Sequence, residues 1–339
     1  MSKPRPLTTI NLRPTPASAG GGRERAALVE KARIAIKEGS QSFAAASKLF
    51  DRDTRERAWL LYAWCRRCDD IADNQDKGGP LGDQGDLKDA EDRVQAIRVL
   101  TRRAFEEQPT ADPAFDGFGL VADECGLTMD LANDMIGGFA LDAGRWQPSN
   151  EADMLRYCYH VAGSVGVMMA LVMGVSPEDG ETLDRACDLG LAFQIANIAR
   201  DIVEDAEAGR CYLPADWLAE KGWQPGEHAL PENRDALASL MPQLIGLMEK
   251  HEQASKLGAA RLRFRQRWAV LAAANIYGAI GRKVLARGAA AWNQRTRVRR
   301  VEKLRHVLAA FAEALLNRPS PPDQPIHWTR HDFRPVTGW

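Results

Sequence analysis

The sequence has few runs of alternating Val, Ile and Thr, and it has no Asn-Gly or Asp-Gly turn set between apolar strands. Those are the signals of hairpins and half-buried strands, so a sheet-based fold is not expected. Nothing ahead of the cysteines resembles a secretory leader with an apolar core. Cys65, Cys68, Cys125, Cys158, Cys187 and Cys211 are scattered, mostly inside helix-like segments, which suits a reducing cytoplasm better than a disulfide framework. No repeat of fixed period is visible, so a solenoid is not expected. A Gly-rich strand-to-helix fingerprint for a dinucleotide is missing as well. Neither sign of charge dominates: the formal net charge is -1.

The chain has 339 residues, of which 45% are hydrophobic and 27% charged. That is ordinary soluble composition, with enough length for a large core in one big domain or two smaller ones. From about Glu24 the apolar period is helical nearly throughout, and an all-α fold follows. The folded domain is expected over residues 24–317. Residues 1–23 read as a basic, Pro- and Gly-rich disordered tail. Four prolines argue against the amphipathic helix that a transit peptide would need there. Residues 318–339, Pro-rich again, read as an extended C-terminal tail.

The stretch CRRCDDIAD, residues 65–73, admits two metal readings. Cys65 and Cys68 have the spacing of a soft-metal or redox pair, while Asp69, Asp70 and Asp73 offer oxygens to a hard cation. Tyr62, Arg66, Asp69 or Asp70, and Asp73 follow in steps of three and four along one side of a helix, with the cysteines elsewhere. A redox pair needs a lowered thiol pKa, and three adjacent carboxylates would raise it. The thiols are therefore assigned to packing.

A second acid helix is expected from Ser176, as N-cap with Pro177 in the first turn, to Gly209 beyond its end. Gly190, Gln194, Asn197, Asp201 and Asp205 form one stripe, running from small and apolar into amide and then carboxylate. Acids at such spacing are often only a solvated face. Here, however, they end very apolar helices, and like charges so placed disfavour each other unless a cation bridges them. Two such helices facing each other would hold several Mg²⁺ ions and a diphosphate, with Arg66, Arg67, Arg200 and Arg210 neutralising phosphate oxygens.

Between the acid helices, residues 157–175 contain no charged side chain over about the length of a bilayer span. Tyr157, Tyr159, His160 and Ser164 in its first half favour a buried central helix instead. Gly163, Gly166 and Ala170 are expected to leave volume for a long apolar ligand; Met168, Met169 and Met173 fit its lining and ordinary core packing equally well. Later, residues 256–306 carry a dense set of Arg and Lys against the single acid Glu302. Without a recognised fold, nucleic acid is not the expected partner; an anionic membrane surface is preferred, slightly, over a plain solvated face.

GSQSF, YAWCRRCDDIAD, YCYHVAGSVG and QIANIARDIVEDAEAGRCYLP, in this order and spacing, resemble the squalene and phytoene synthase family over roughly residues 34–308. The resemblance implies an all-α isoprenoid-synthase fold whose two acid helices face each other across a central cavity. It implies that Asp69, Asp73, Asp201 and Asp205 bind metal, with Asp70 completing the first cluster. Arg66, Arg200, Gln194 and Asn197 match diphosphate and metal-shell positions. Ser40, Ser42 and Phe43 match a substrate loop, Tyr62 and Tyr157 cavity tyrosines near the reacting carbons, and Tyr277 a tyrosine on a late helix. Gly39 departs from the His found there in dehydrosqualene synthases.

The implied reaction is Mg²⁺-dependent, with Mn²⁺ as a possible substitute, and joins two geranylgeranyl diphosphates head to head without NADPH. A C30 reaction on farnesyl diphosphate, giving squalene or dehydrosqualene, is the alternative within the fold. A terpene cyclase would carry a different second motif than NIARDIVED, and a noncatalytic scaffold would be expected to have lost the acids. Cytoplasmic location with peripheral membrane contact, and contact with other carotenoid-pathway enzymes, complete the expectation.

Overall fold

A computed structural model describes residues 23–75, 82–83, 85–319 and 325–334, without the side chains of Gln41 and Ser42. Of the described residues 75% are helical, and none lies in a strand. By contacts the chain divides into two compact units, one of residues up to 144 with 167–179, the other of 145–166 with the remainder from 180.

In the first unit the helices are α1 (Arg25–Gly39), α2 (Gln41–Ser47), α3 (Arg52–Ala72), α4 (Leu87–Phe105), α5 (Pro113–Cys125) and α6 (Met129–Ala143). Their starts are written in the sequence. Asp51 accepts from the Thr54 amide, Asp86 and Asp89 form a reciprocal capping box, and Asp112 precedes Pro113 at the first position of α5. Trp64 of α3 is fully buried, stacked on Phe118 of α5 at 3.8 Å, and donates to the Thr101 hydroxyl of α4. Burying a side chain of that size contributes roughly 2–3 kcal/mol. Buried Glu124 takes Arg57 at 2.7 Å and Arg25 at 2.9 Å, so α1, α3 and α5 share one ion-paired centre. Arg23, placed in the tail by sequence, donates to Asp116 and to the Ala111 carbonyl; residues 1–22 lie outside the described ones.

The other unit holds α7 (Glu151–Cys158), a π-helical turn (Tyr159–Gly163), the start of α8 (Ser164–Val172), α9 (Gly180–Glu207), α10 (Ala215–Glu220), α11 (Arg234–Ala238), α12 (Met241–Ala259), α13 (Phe264–Arg287), α14 (Arg300–Leu316) and α15 (Arg330–Phe333). Helix α9 is its axis, packed against α12, α13 and the π turn. It begins at Gly180, not at the expected Ser176. The Ser176 hydroxyl accepts from the Glu178 amide and its carbonyl from Asp179, closing a separate turn before the helix starts. Gly209, at φ +73°, ends the helix as expected.

Residues 151–172 form a continuous helical run whose most apolar window is 61% buried in protein, matching the expected central helix. The small residues within it have a different use from the expected one. A Cβ on Gly166 would strike the Ala186 carbonyl, and one on Gly190 would strike the Ala162 carbonyl and lie 2.7 Å from the Gly163 Cα. These glycines therefore let α9 approach the π turn and the start of α8 backbone to backbone, with Gly190 itself at the contact.

Residues 325–334 are not simply extended. They close with the single turn α15, and Trp328 and Phe333 lie against His251 of α12. The Trp328 indole donates to Asp188 at 2.8 Å, and Arg330 pairs with Asp184 at 2.6 Å. Asp188 also meets His251 at 2.6 Å and Arg185 at 3.1 Å, so a buried carboxylate on α9 is satisfied in part by the chain's last segment.

Candidate functional site

The first acid set sits at the C-terminal end of α3. Arg66 donates to Asp69 at 2.7 Å and lies 3.3 Å from Asp70, which is only 6% exposed. Asp73 is the C-cap residue of the helix and accepts from Gln75 at 2.9 Å. Arg67 turns away to Asp112, at 2.7 Å. The Arg66 Nε is buried without a hydrogen-bond partner, a donor suited to a phosphate oxygen.

Beside this end of α3 lies a cavity of about 300 Å³, lined among others by Ala32, Gly39, Leu60, Arg66 and Asp70. Tyr62 faces Gly39 so closely that any side chain there would strike its hydroxyl, and it stacks on Phe43 at 5.6 Å. Ser40 is the N-cap of α2, accepting from the Phe43 amide at 3.3 Å, so its hydroxyl holds the Phe43 turn in place. The Ser42 side chain lies outside the described residues.

The thiols just ahead of these acids are not poised for chemistry. Cys68 is fully buried and Cys65 half-buried. Burial, with Asp69 second, pushes the Cys65 thiol up to about 12, and burial, with the neighbouring Cys65 second, raises Cys68 well above its ordinary value. Neither supplies a thiolate at neutral pH.

The second acid set belongs to α9. Arg200 donates to Asp201 through both Nε, at 2.7 Å, and Nη2, forming a fork onto the carboxylate. Arg295, in the segment ahead of α14, reaches the same Asp201 oxygen at 3.0 Å and also pairs with Glu204. Asn197 Oδ1 is buried with no hydrogen-bond partner, an acceptor facing nothing that donates. The carbonyl of Asp205 takes the Arg210 amide at 2.8 Å. Gln194 is half-buried one turn before Asn197. Phe193 stacks on Tyr277 of α13 at 4.0 Å, and burial raises the Tyr277 phenol above its ordinary value, with Arg200 opposing.

Tyr157 is buried and stacks on two rings, Tyr212 at 4.6 Å and Trp146 at 6.0 Å. Reasoning from sequence missed Trp146 and Tyr212 as its partners, Phe193 beside Tyr277, and Arg295 beside Asp201. Arg295 follows Asp201 by 94 positions in an irregular segment, where no period ties it to α9.

Among the described residues no three His, Cys, Asp or Glu side chains are gathered as one metal cluster. The donor types nonetheless fit a hard cation: every acid in both sets presents oxygen, and Asn197 Oδ1 is a buried acceptor whose isolation costs about 1–3 kcal/mol. Arg66 pairs with the first set, and Arg200 and Arg295 pair with Asp201 of the second.

Comparison with known proteins agrees. The sequence pattern described as squalene/phytoene synthase matches residues 36–302. The 15-cis-phytoene synthase of Pantoea ananas is 47% identical over 294 residues, covering 86% of this chain and 94% of that protein. The phytoene synthase of Pseudescherichia vulneris is 46% identical over 288 residues, 85% of this chain and 92% of that one. Among solved structures, a dehydrosqualene synthase in complex with ligand superimposes with a TM-score of 0.75 at 23% identity, over 86% of this chain and 98% of that one. The last shares the isoprenoid-synthase fold. With its motifs, its helices and a matched family pattern spanning most of its length, the chain belongs to the squalene/phytoene synthase family.

Proposed function

We propose that the protein is a phytoene synthase, a prenyltransferase that condenses two geranylgeranyl diphosphates head to head, through a cyclopropyl diphosphate, to phytoene at the entry to carotenoid biosynthesis. The observation that carries this reading is the 47% identity to a 15-cis-phytoene synthase along 94% of that protein, with both acid motifs in place. A prenyl diphosphate substrate follows from the family; the choice of the C20 substrate, and of Mg²⁺ with Mn²⁺ as substitute, belongs to the proposal.

Asp69, Asp70 and Asp73 on α3 and Asn197, Asp201 and Asp205 on α9 would hold the divalent ions. When bound, the ions supply charge that stabilises the departing diphosphate. The chain's own groups divide the remaining work. Arg66, Arg200 and Arg210 give charge-assisted hydrogen bonds to phosphate oxygens, and Gln194 adds an amide donor. Arg295 joins this set, because it already neutralises Asp201.

Tyr62, Tyr157 and Tyr277, each stacked on a neighbouring ring, are the aromatics that would stabilise the allylic cation and keep water from it. Burial raises the Tyr277 phenol above its ordinary value, so Tyr277 contributes its ring and not a phenolate; the tyrosine hydroxyls and the released diphosphate are the groups at hand to take the final proton. No reductant enters this sequence, and NADPH is not required.

The protein would act in the cytoplasm, at the membrane periphery and near other carotenoid-pathway enzymes, without nucleic acid. Incubating it with Mg²⁺ and either farnesyl or geranylgeranyl diphosphate, with and without NADPH, tests the reading. The expected hydrocarbon is C40 phytoene without NADPH. A C30 product alone, from a squalene or dehydrosqualene synthase reaction, overturns it.

A further inference from the structure

The outer face of α14 carries Val301, Leu304, Leu308, Phe311 and Leu315, exposed by 80, 59, 60, 40 and 67%. Steps of three, four, three and four put them in one stripe along the helix. The opposite side is packed, with Ala310 and Ala314 buried in a cluster with Ala259, Leu271 and Ala272. Both acids of α14 are engaged away from the stripe: Glu302 takes Lys283 at 2.6 Å, and Glu313 takes Lys256 at 3.1 Å.

What flanks the stripe is basic. Arg300 and Arg305, both exposed, fall on its two sides by helical position, and exposed Arg297 and Arg299 precede the helix. At its edge Phe264 of α13 meets Phe311 edge-on at 5.6 Å, and Trp268 meets it at 5.1 Å. Exposed Arg263 and Arg265 adjoin Phe264. An apolar stripe, aromatic side chains at its edge and arginines on both flanks make an interfacial helix.

We propose that this face of α14 seats on an anionic lipid bilayer, the stripe entering the boundary between headgroups and acyl chains while the flanking arginines meet lipid phosphates. A second copy of the chain is the poorer occupant, because paired α14 helices would bring the same arginines against one another instead of against opposite charge. The proposal rests on the peripheral-membrane reading above and deepens it by naming the surface.

The test is co-sedimentation of the full chain with vesicles of phosphatidylcholine alone or mixed with phosphatidylglycerol. The wild type should bind the anionic vesicles and be released by salt. The double variants Leu304→Ser with Leu308→Ser, and Arg300→Glu with Arg305→Glu, should each bind roughly tenfold or more weakly. All these side chains are exposed, so both variants should melt as the wild type does and act normally on detergent-dispersed substrate. Variants that bind as tightly as the wild type would overturn the assignment to α14 alone. A wild type that ignores anionic vesicles would overturn the peripheral reading with it. A dimer that the Leu double variant dissolves, without vesicle binding, would make the face a contact between copies.

Discussion

Gly39 ends α1 directly against the Tyr62 hydroxyl, with no room for a Cβ between them. The tyrosine is thereby set where it stacks on Phe43, while Gly39 itself lines the cavity together with Arg66 and Asp70. Gly39→Ala should push the ring aside and open that stack. The expected result is a loss of turnover of roughly tenfold, about 1.4 kcal/mol in the barrier, with little change in melting temperature because Gly39 is exposed. Unchanged kinetics would separate Tyr62 from the reaction.

Gly190→Ala tests the close approach of α9 to the π turn. The new methyl has the Ala162 carbonyl and the Gly163 Cα in its way, so backbone must move. Overpacking of this kind costs about 1–3 kcal/mol, and a chain of this size should melt several degrees lower. Thermal unfolding by circular dichroism checks it; an unshifted midpoint would mean that the two segments separate easily.

The C-terminal segment should prove structural. Trp328→Phe keeps the ring but removes the donor to Asp188, a buried carboxylate that then keeps His251 and Arg185 alone. Hydrogen bonds to charged groups are worth about 1.5–3 kcal/mol. A melting temperature equal to that of the wild type would show that the indole is not needed.

Stability should also fall in mild acid through His228. This ring is almost fully buried, accepts from the Gly226 amide at Nδ1, and has its pKa lowered by burial first and by Arg234 second. The unfolded chain therefore takes up the proton before the folded one. The stabilisation is complete above the ordinary histidine value of about 6.5 and is lost as pH falls below it. His228→Asn should remove that part of the pH dependence of urea unfolding, and parallel curves for the two proteins would refute it.

The acid helices could be read in advance because their information is local: α3 and α9 carry their side chains in steps of three and four, and Asp51 and Gly209 mark an end of each. The start of α9 was misplaced because Ser176 followed by Pro177 signals a cap equally well for one turn or for a long helix. Gly163, Gly166 and Gly190 were legible as special but not in their use, since a small residue beside a void and one beside another backbone leave the same mark in sequence. Arg295 on Asp201 and Trp328 on Asp188 join positions 94 and 140 residues apart, and no period reports on such pairs.

The central claim is that carboxylates, not thiols, carry the chemistry. It is tested most directly by comparing turnover of geranylgeranyl diphosphate by the Cys65→Ser, Cys68→Ser double variant with that of Asp69→Asn, Asp73→Asn, Asp201→Asn and Asp205→Asn. The two thiols, both held protonated, should be replaceable with most activity retained. Each Asn variant should remain folded and lose roughly a hundredfold or more, about 2.7 kcal/mol of barrier, with part of the loss restored by excess Mg²⁺. A dead double Ser variant beside active Asn variants would contradict the account.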